Sequence, residues 1–213
     1  MSVKFVYVPE DVLERLNEKL KSTPEKIPDA LRKTINSAAK CGRQSVINRT
    51  HEEYTLKNAP RRIKAASEYE SSRGKQLNAT IVIKGRPEPL LNFSTRKNGK
   101  KVSAKAKVLQ ISQMKDLTLS ADGKKLKAFI REIKVKNAQG EESSHVGVFR
   151  RMTEEERKGS SSQKRNAIKP LYSTSIPKMV ENKEVYAKIE KDIKEELRRV
   201  LDKHIASVME GMK

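Results

Sequence analysis

The chain has 213 residues, of which 35% are hydrophobic, 4% aromatic and none Trp, so it can bury less core than an average domain of its length. Its 47 basic and 27 acidic residues leave a net charge of +20, which attracts polyanions or acidic proteins and opposes crowding of like copies. No apolar run nears the ~18 residues of a membrane span, the opening MSVKFVYVPEDV is too short for a signal segment, and the single Cys41 forms no internal disulfide, so synthesis in a reducing cytoplasm is expected.

The N-terminal third reads as helix. Val12, Leu13, Leu16 and Leu20 share one face of a short amphipathic stretch over 11–21. Thr23-Pro24 then has the chemistry of an N-cap and first helical position, with Pro28 as a second place to start. From there Ile27, Leu31, Ile35, Ala38, Gly42 and Val46 recur at helical spacing, and the helix is predicted to reach about Arg49. Its small members, Ala38, Ala39 and Gly42, admit another backbone closely. A shorter helix between Tyr54 and Ser67 would be capped by Asn58, with Pro60 near its start and Arg61, Arg62 and Lys64 facing solvent.

After Ser71-Ser72-Arg73-Gly74 the period changes to two. Leu77, Ala79, Ile81 and Ile83 alternate with Asn78, Thr80, Val82 and Lys84 until Gly85-Arg86-Pro87. Leu90 to Ser94 is predicted as a second strand. Val102, Ala104, Ala106 and Val108 alternate with Ser103, Lys105 and Lys107, giving one apolar and one cationic face. Asn98-Gly99 is a tight-turn candidate inside a loop that extends to Lys101, and Asp122-Gly123 is another. Phe129, Arg131, Ile133 and Val135 form a further alternating run, 137–143 a break, and Val146 to Phe149 the last clear strand. Short connections favour antiparallel pairing with one wet face.

Met152 to Arg165 is a polar surface loop with some helix at its start, and Ile168 to Val180, with Pro170 and Pro177, is an extended connector. Val185, Ile189, Ile193, Leu197, Val200 or Leu201, Ile205 and Val208 then make a single stripe along a closing helix from Asn182 to Met209. That stripe needs a covering surface: the sheet, the N-terminal helix or a neighbouring subunit. The order of helices, strands and helix indicates an α+β fold. One domain is expected over 1–213: a helical part to residue 70, a central antiparallel sheet of four to six strands over 75–150, a loop and connector over 151–180, and a long amphipathic helix over 182–211.

The chemistry of catalysis is not legible. His51, His145 and His204 stand outside metal-ligand spacing of one another and of Cys41, which reads as a small helix-packing residue. Glu154-Glu155 and Glu195-Glu196 sit in charged surroundings that solvation explains, and Gly140, Gly147 and Gly159 are too dispersed for a phosphate loop. No enzyme, metal or cofactor is therefore expected. The basic residues say more. Lys84, Arg86, Arg96, Lys97, Lys100, Lys101, Lys105 and Lys107 occur against the single acid Glu88, and together with Arg61, Arg62 and Lys64 they are the candidate DNA-facing positions. Phosphates need only positioned cations, so contact with double-stranded DNA would be non-specific. Few aromatics lie among them, which argues against single-strand stacking. The competing reading is that lysines on exposed strands keep those edges from pairing.

Two segments carry a family likeness. One is IPDALRKTINSAAKCGRQSVI, followed by Tyr54, Leu56-Lys57, Ile63 and LNATIVIKGRPEPLLNFS; the other is HVGVFRR with RNAIKPLYSTSIPKMVENKEV. In that order they resemble the minor tail protein Z family of tailed bacteriophages, also described as tail completion proteins, from Ile27 to the end. The resemblance implies a structural virion component, made in the bacterial cytoplasm, that completes the head-proximal end of the tail for head-tail joining and DNA passage. It further implies partners among tail and connector proteins and a homo-oligomeric ring, sixfold as the working expectation. The stripe of Val185, Ile189, Ile193, Leu197, Leu201, Ile205 and Val208 is the candidate packing or assembly surface. The alternative is a cytoplasmic, non-specific nucleic-acid-binding protein, although neither a recognition helix nor a stacking platform is legible.

Overall fold

The structure is a computed structural model and describes residues 2–6, 14, 18–19, 27–72, 78–97, 104–121, 124–136, 142–159 and 166–210. The expected N-terminal amphipathic stretch, the Thr23-Pro24 start and both turn dipeptides, Asn98-Gly99 and Asp122-Gly123, fall wholly or mainly outside these residues. The fold class is α+β, with antiparallel sheets and a long C-terminal helix. The described residues group into two compact units that interleave along the chain. The first comprises 1–52, 58–86 and 175–213, the second 53–57 and 87–174.

In the first unit, β1 (Ser2–Val6) and β2 (Ser67–Glu70) flank β3 (Thr80–Lys84), both antiparallel to it. Val82, expected on the wet face of its strand, is buried because β3 is the middle strand of the three. Helix α1 (Ile27–Glu53) runs one turn past the predicted Arg49. Helix α2 (Ala59–Ala66) begins at Asn58, as expected, but Asn58 caps by backbone shape rather than by its side chain: φ is 53°, and Pro60 follows in the first turn. Asn tolerates this left-handed conformation better than other residues with a β-carbon. Arg43 of α1 donates to the carbonyls of Lys64 (3.1 Å) and Ser67 (2.9 Å), satisfying the end of α2.

The stripe on α5 (Lys183–Glu210) is buried throughout its described length: Val185, Ile189, Ile193, Leu197, Val200, Leu201 and Ile205 are each at most 7% exposed, while the Val208 side chain lies outside the described residues. Its cover is internal. Leu201 and Ile205 join Leu31, Ile35 and Ala39 of α1 and Ala79 beside β3 in one cluster. At Gly42 a β-carbon would stand 2.9 Å from the Ile193 side chain and 3.1 Å from Ile81 Cδ1, so glycine lets α1 pass between α5 and the sheet. Preceding α5, the predicted connector contains a buried helix, α4 (Ile176–Val180); the Ser175 hydroxyl accepts from the Lys178 N–H, and Pro177 occupies the tolerated first turn. Its prolines thus start a helix rather than prevent one.

A polar contact ties α1 to α5 beside this core. Arg49 donates from Nε and Nη2 to the Asp192 carboxylate, both at 2.9 Å, and the Ser45 hydroxyl donates to the same group. The Arg49 hydrogen bonds, against a smaller burial effect, hold the Asp192 carboxyl below its usual range.

The second unit replaces the single expected sheet with small ones. The stretch Leu90 to Ser94 is not a strand: Leu90–Asn92 is a 3-10 turn, closed by the Phe93 N–H on the Leu90 carbonyl at 3.1 Å. Three-residue spacing buries Leu90 and Phe93 together, which an alternating strand would prevent. Before it lies β4 (Pro87–Pro89), paired with β13 (Tyr172–Ser175). After it, β5 (Ser94–Lys97), β6 (Ala104–Lys107) and β7 (Lys115–Asp116) form one sheet, and β8 (Thr118–Ala121) pairs with β9 (Lys124–Lys127). The longest hairpin joins β10 (Phe129–Lys136) to β11 (Glu142–Arg151), whose end also pairs with β12 (Ile168–Pro170). A β-carbon at Gly147 would meet the Phe149 ring at 2.8 Å, so this ring folds back over the glycine toward Phe129, centroids 6.5 Å apart. In the polar loop, Thr153 and Glu156 make a capping box for α3 (Glu154–Lys158), and Glu156 also accepts from both Arg150 Nη atoms (2.5 and 2.6 Å) and from Lys169 (3.1 Å).

Two outcomes test this packing. Gly42→Ala gains about 1 kcal/mol of helix propensity, but its β-carbon meets Ile193 Cγ1 as well as Cδ1 at 2.9 Å, so the contact should cancel or outweigh that gain and the melting temperature should not rise. Gly42→Leu needs more room still and should cost about 3 kcal/mol in urea unfolding. For Asp192, the depressed folded-state pKa means its contribution is complete above the unfolded value of about 3.9 and is lost as pH falls through the folded one. Asp192→Asn should therefore cost about 1 kcal/mol at pH 7, discounted for a partly exposed pair, and progressively less as pH falls below the unfolded value; a loss that does not change with pH would contradict the ion pair.

Candidate nucleic-acid interface

The expected cationic positions are divided between the two units. Arg61, Arg62, Lys64, Lys84 and Arg86 belong to the first unit, and Arg96, Lys97, Lys105 and Lys107 to the second; Lys100 and Lys101, like the Lys97 side chain, lie outside the described residues. In the first unit Arg61, Lys64 and Arg86 are exposed. Lys84 is exposed as well, but it donates to Glu68 at 2.7 Å across the β2–β3 pair, so its charge is compensated there. Arg61 sits in the first turn of α2, where the helix dipole disfavours a cation and no acid is present.

The second unit assembles the denser group. The β5–β6 register sets Arg96 directly opposite Lys105 and Ser94 opposite Lys107, which puts Arg96, Lys105 and Lys107 on one face. The other face carries Ala104 and Ala106, fully or nearly buried, as the alternation predicts. The strand is held from its backbone: the Ala104 N–H donates to the Ala128 carbonyl (2.7 Å), and the Thr55 hydroxyl donates to the Lys107 carbonyl (2.5 Å). Among the described residues, Asp116 of β7 lies 4.0 Å from Lys105, directly across the second register. Two cations facing one another destabilise a strand pair, and the distant, half-exposed Asp116 offsets this weakly. The face therefore carries more positive than negative charge, at a local cost to the fold.

The catalytic alternatives fare worse. Cys41 borders a cleft of about 340 Å³ with Gln44, Ser45, Asn48, Asp192, Glu195, Glu196 and Arg199. Burial first, then Glu196 and Asp192, push its thiol pKa up, against the thiolate a nucleophile needs. His51 and His145 are exposed, and His204, on α5, has its pKa lowered by burial and by Lys33 and Lys203. Among the described residues no group of three His, Cys, Asp or Glu side chains is placed to hold a metal ion, and no helix is long and apolar enough to cross a membrane.

The cation-on-cation pair was not legible before the register was known. The alternation from Val102 to Val108 showed which face carries lysine, but only pairing with β5 shows what lies opposite. The cost of that pair is measurable: Arg96→Glu converts repulsion into attraction and should raise stability by about 0.5 kcal/mol at low salt, with the gain fading as salt is added. A loss of stability would remove the argument. In comparisons with known proteins, no family model, no curated protein and no solved structure matches this chain.

Proposed function

We propose that the chain is a structural tail-completion protein of a phage-like particle. It acts by docking on tail and connector proteins and by touching double-stranded DNA through phosphates, without catalysis. The observation that carries the DNA part is the Arg96–Lys105 pair, with Lys107 on the same face. A fold that gains nothing from opposing cations retains them where an anion completes the surface. Arg61 at the start of α2 repeats the pattern on the other unit. The tail assignment rests on the ordered likeness from Ile27 to the C-terminal helix, including the buried stripe on which that helix packs. That stripe packs on α1 within the first unit, so docking falls to exposed surfaces.

The reading is tested by binding to unrelated duplex DNA across a salt series. Wild-type affinity should fall steeply with salt, at a slope of about 0.9 per phosphate met. The Arg96→Glu/Lys105→Glu/Lys107→Glu variant should reduce that slope by roughly 2 to 3 and weaken binding equally for every sequence. In parallel, particles produced with the variant should accumulate tails and filled heads that fail to join, as counted by electron microscopy. Normal DNA binding in wild type with unaffected particles would favour a free-standing nucleic-acid-binding protein. Absence of DNA binding at low salt would reassign the cationic face to acidic protein partners.

A further inference from the structure

The β10–β11 hairpin projects beyond the packed part of its unit. Near its base Val148 and Phe149 are buried, but Arg131, Glu132 and Lys134 on β10 and Glu142 to Val146 on β11 are all exposed, and Val146 is 44% exposed. Strand β10 is the edge of its sheet, so eight residues of its backbone, Phe129–Lys136, have no strand partner on their outer side among the described residues. Proteins usually protect so long an edge with charges of one sign, which repel a second copy. That protection is present on β2, with Glu68 and Glu70.

Strand β10 carries Arg131, Glu132, Lys134 and Lys136, so one acid is set among three bases. Glu132 and Lys134 are two residues apart, on one face and symmetric about Ile133. Within the hairpin they face Val146 and Ser144, so neither stands directly opposite a charge on β11. If two β10 edges pair antiparallel around a two-fold axis at Ile133, Glu132 of each copy lies directly opposite Lys134 of the other. The two Ile133 side chains then meet on the reverse face. An isologous contact uses every such pair twice. We infer that β10 is a self-pairing edge, through which two copies of this chain join their hairpins into a continuous four-stranded ribbon. The attraction is local and directional, which lets it act against the repulsion of two chains that each carry +20. This inference stands on the hairpin alone and is independent of the tail reading and of the DNA-facing sheet.

The test is sedimentation equilibrium of the full chain at about 0.15 M salt, where surface pairs within ~8 Å still act, with circular dichroism to confirm that each variant is folded. Wild type should show a monomer–dimer equilibrium. Glu132→Lys sets lysine against lysine in the pair, and Lys134→Glu sets glutamate against glutamate; each alone should weaken dimerisation about tenfold or more. An equimolar mixture of the two single variants restores opposite charges at both places and should recover wild-type association as a mixed dimer. A wild-type chain that stays monomeric, or an oligomer that neither variant weakens, overturns the proposal. So does a mixture that associates no better than its components.

Discussion

Everything in the first unit depends on how closely α1 can approach α5 and β3 at Gly42. With few aromatic residues and no Trp, the chain cannot fill a wide gap between layers, so it narrows the gap instead. Ala38, Ala39 and Gly42 remove bulk from α1 where Ile193 and Ile81 supply it from the other two elements. Small residues on one side and branched ones on the other give dense packing from a modest apolar inventory. The same approach brings Arg49 and Ser45 within hydrogen-bonding distance of Asp192, so the polar tie between the helices is a product of the apolar one.

The second unit solves the shortage of apolar material differently. It divides its strands among small sheets and relies on backbone anchors such as Thr55 on Lys107 and Ala104 on Ala128, and on the charged node where Glu156 gathers Arg150, Lys169 and the Thr153 N–H. Its surfaces are left strongly charged, and the charges fall into two designs. On β5–β6 cations oppose cations; on β10 a single acid, Glu132, stands among bases beside Lys134.

How much of this the sequence disclosed follows from what each signal depends on. The α5 stripe and most of α1 were legible because helical periodicity is local and long. The face carried by Lys105 and Lys107 was legible for the same reason at period two. The turn at Leu90–Asn92 was hidden because a short apolar run fits a strand and a 3-10 turn equally well; what decides is that Leu90 and Phe93 must be buried together. Helix α4 was hidden behind Pro177, which reads as a breaker until Ser175 is seen to cap. Strands β1, β2 and β7 to β9 are too short or too polar to announce themselves, and they exist by virtue of partners far away in sequence. The opposition of Arg96 to Lys105 and the open edge of β10 are properties of register, which no single strand encodes.

The interleaving of the two units sets an order of events during synthesis. The elements of the second unit have all been made by Thr174, whereas the first unit still lacks α4 and α5, which supply much of its buried surface. A nascent chain can therefore complete its middle while α1 and β3, already emerged, wait with Leu31, Ile35, Val46 and Ile81 uncovered. Helix α5, made after the second unit, then covers Leu31 and Ile35. Loss of any turn of α5 between Val185 and Ile205 would leave a finished second unit attached to an unfinished first one.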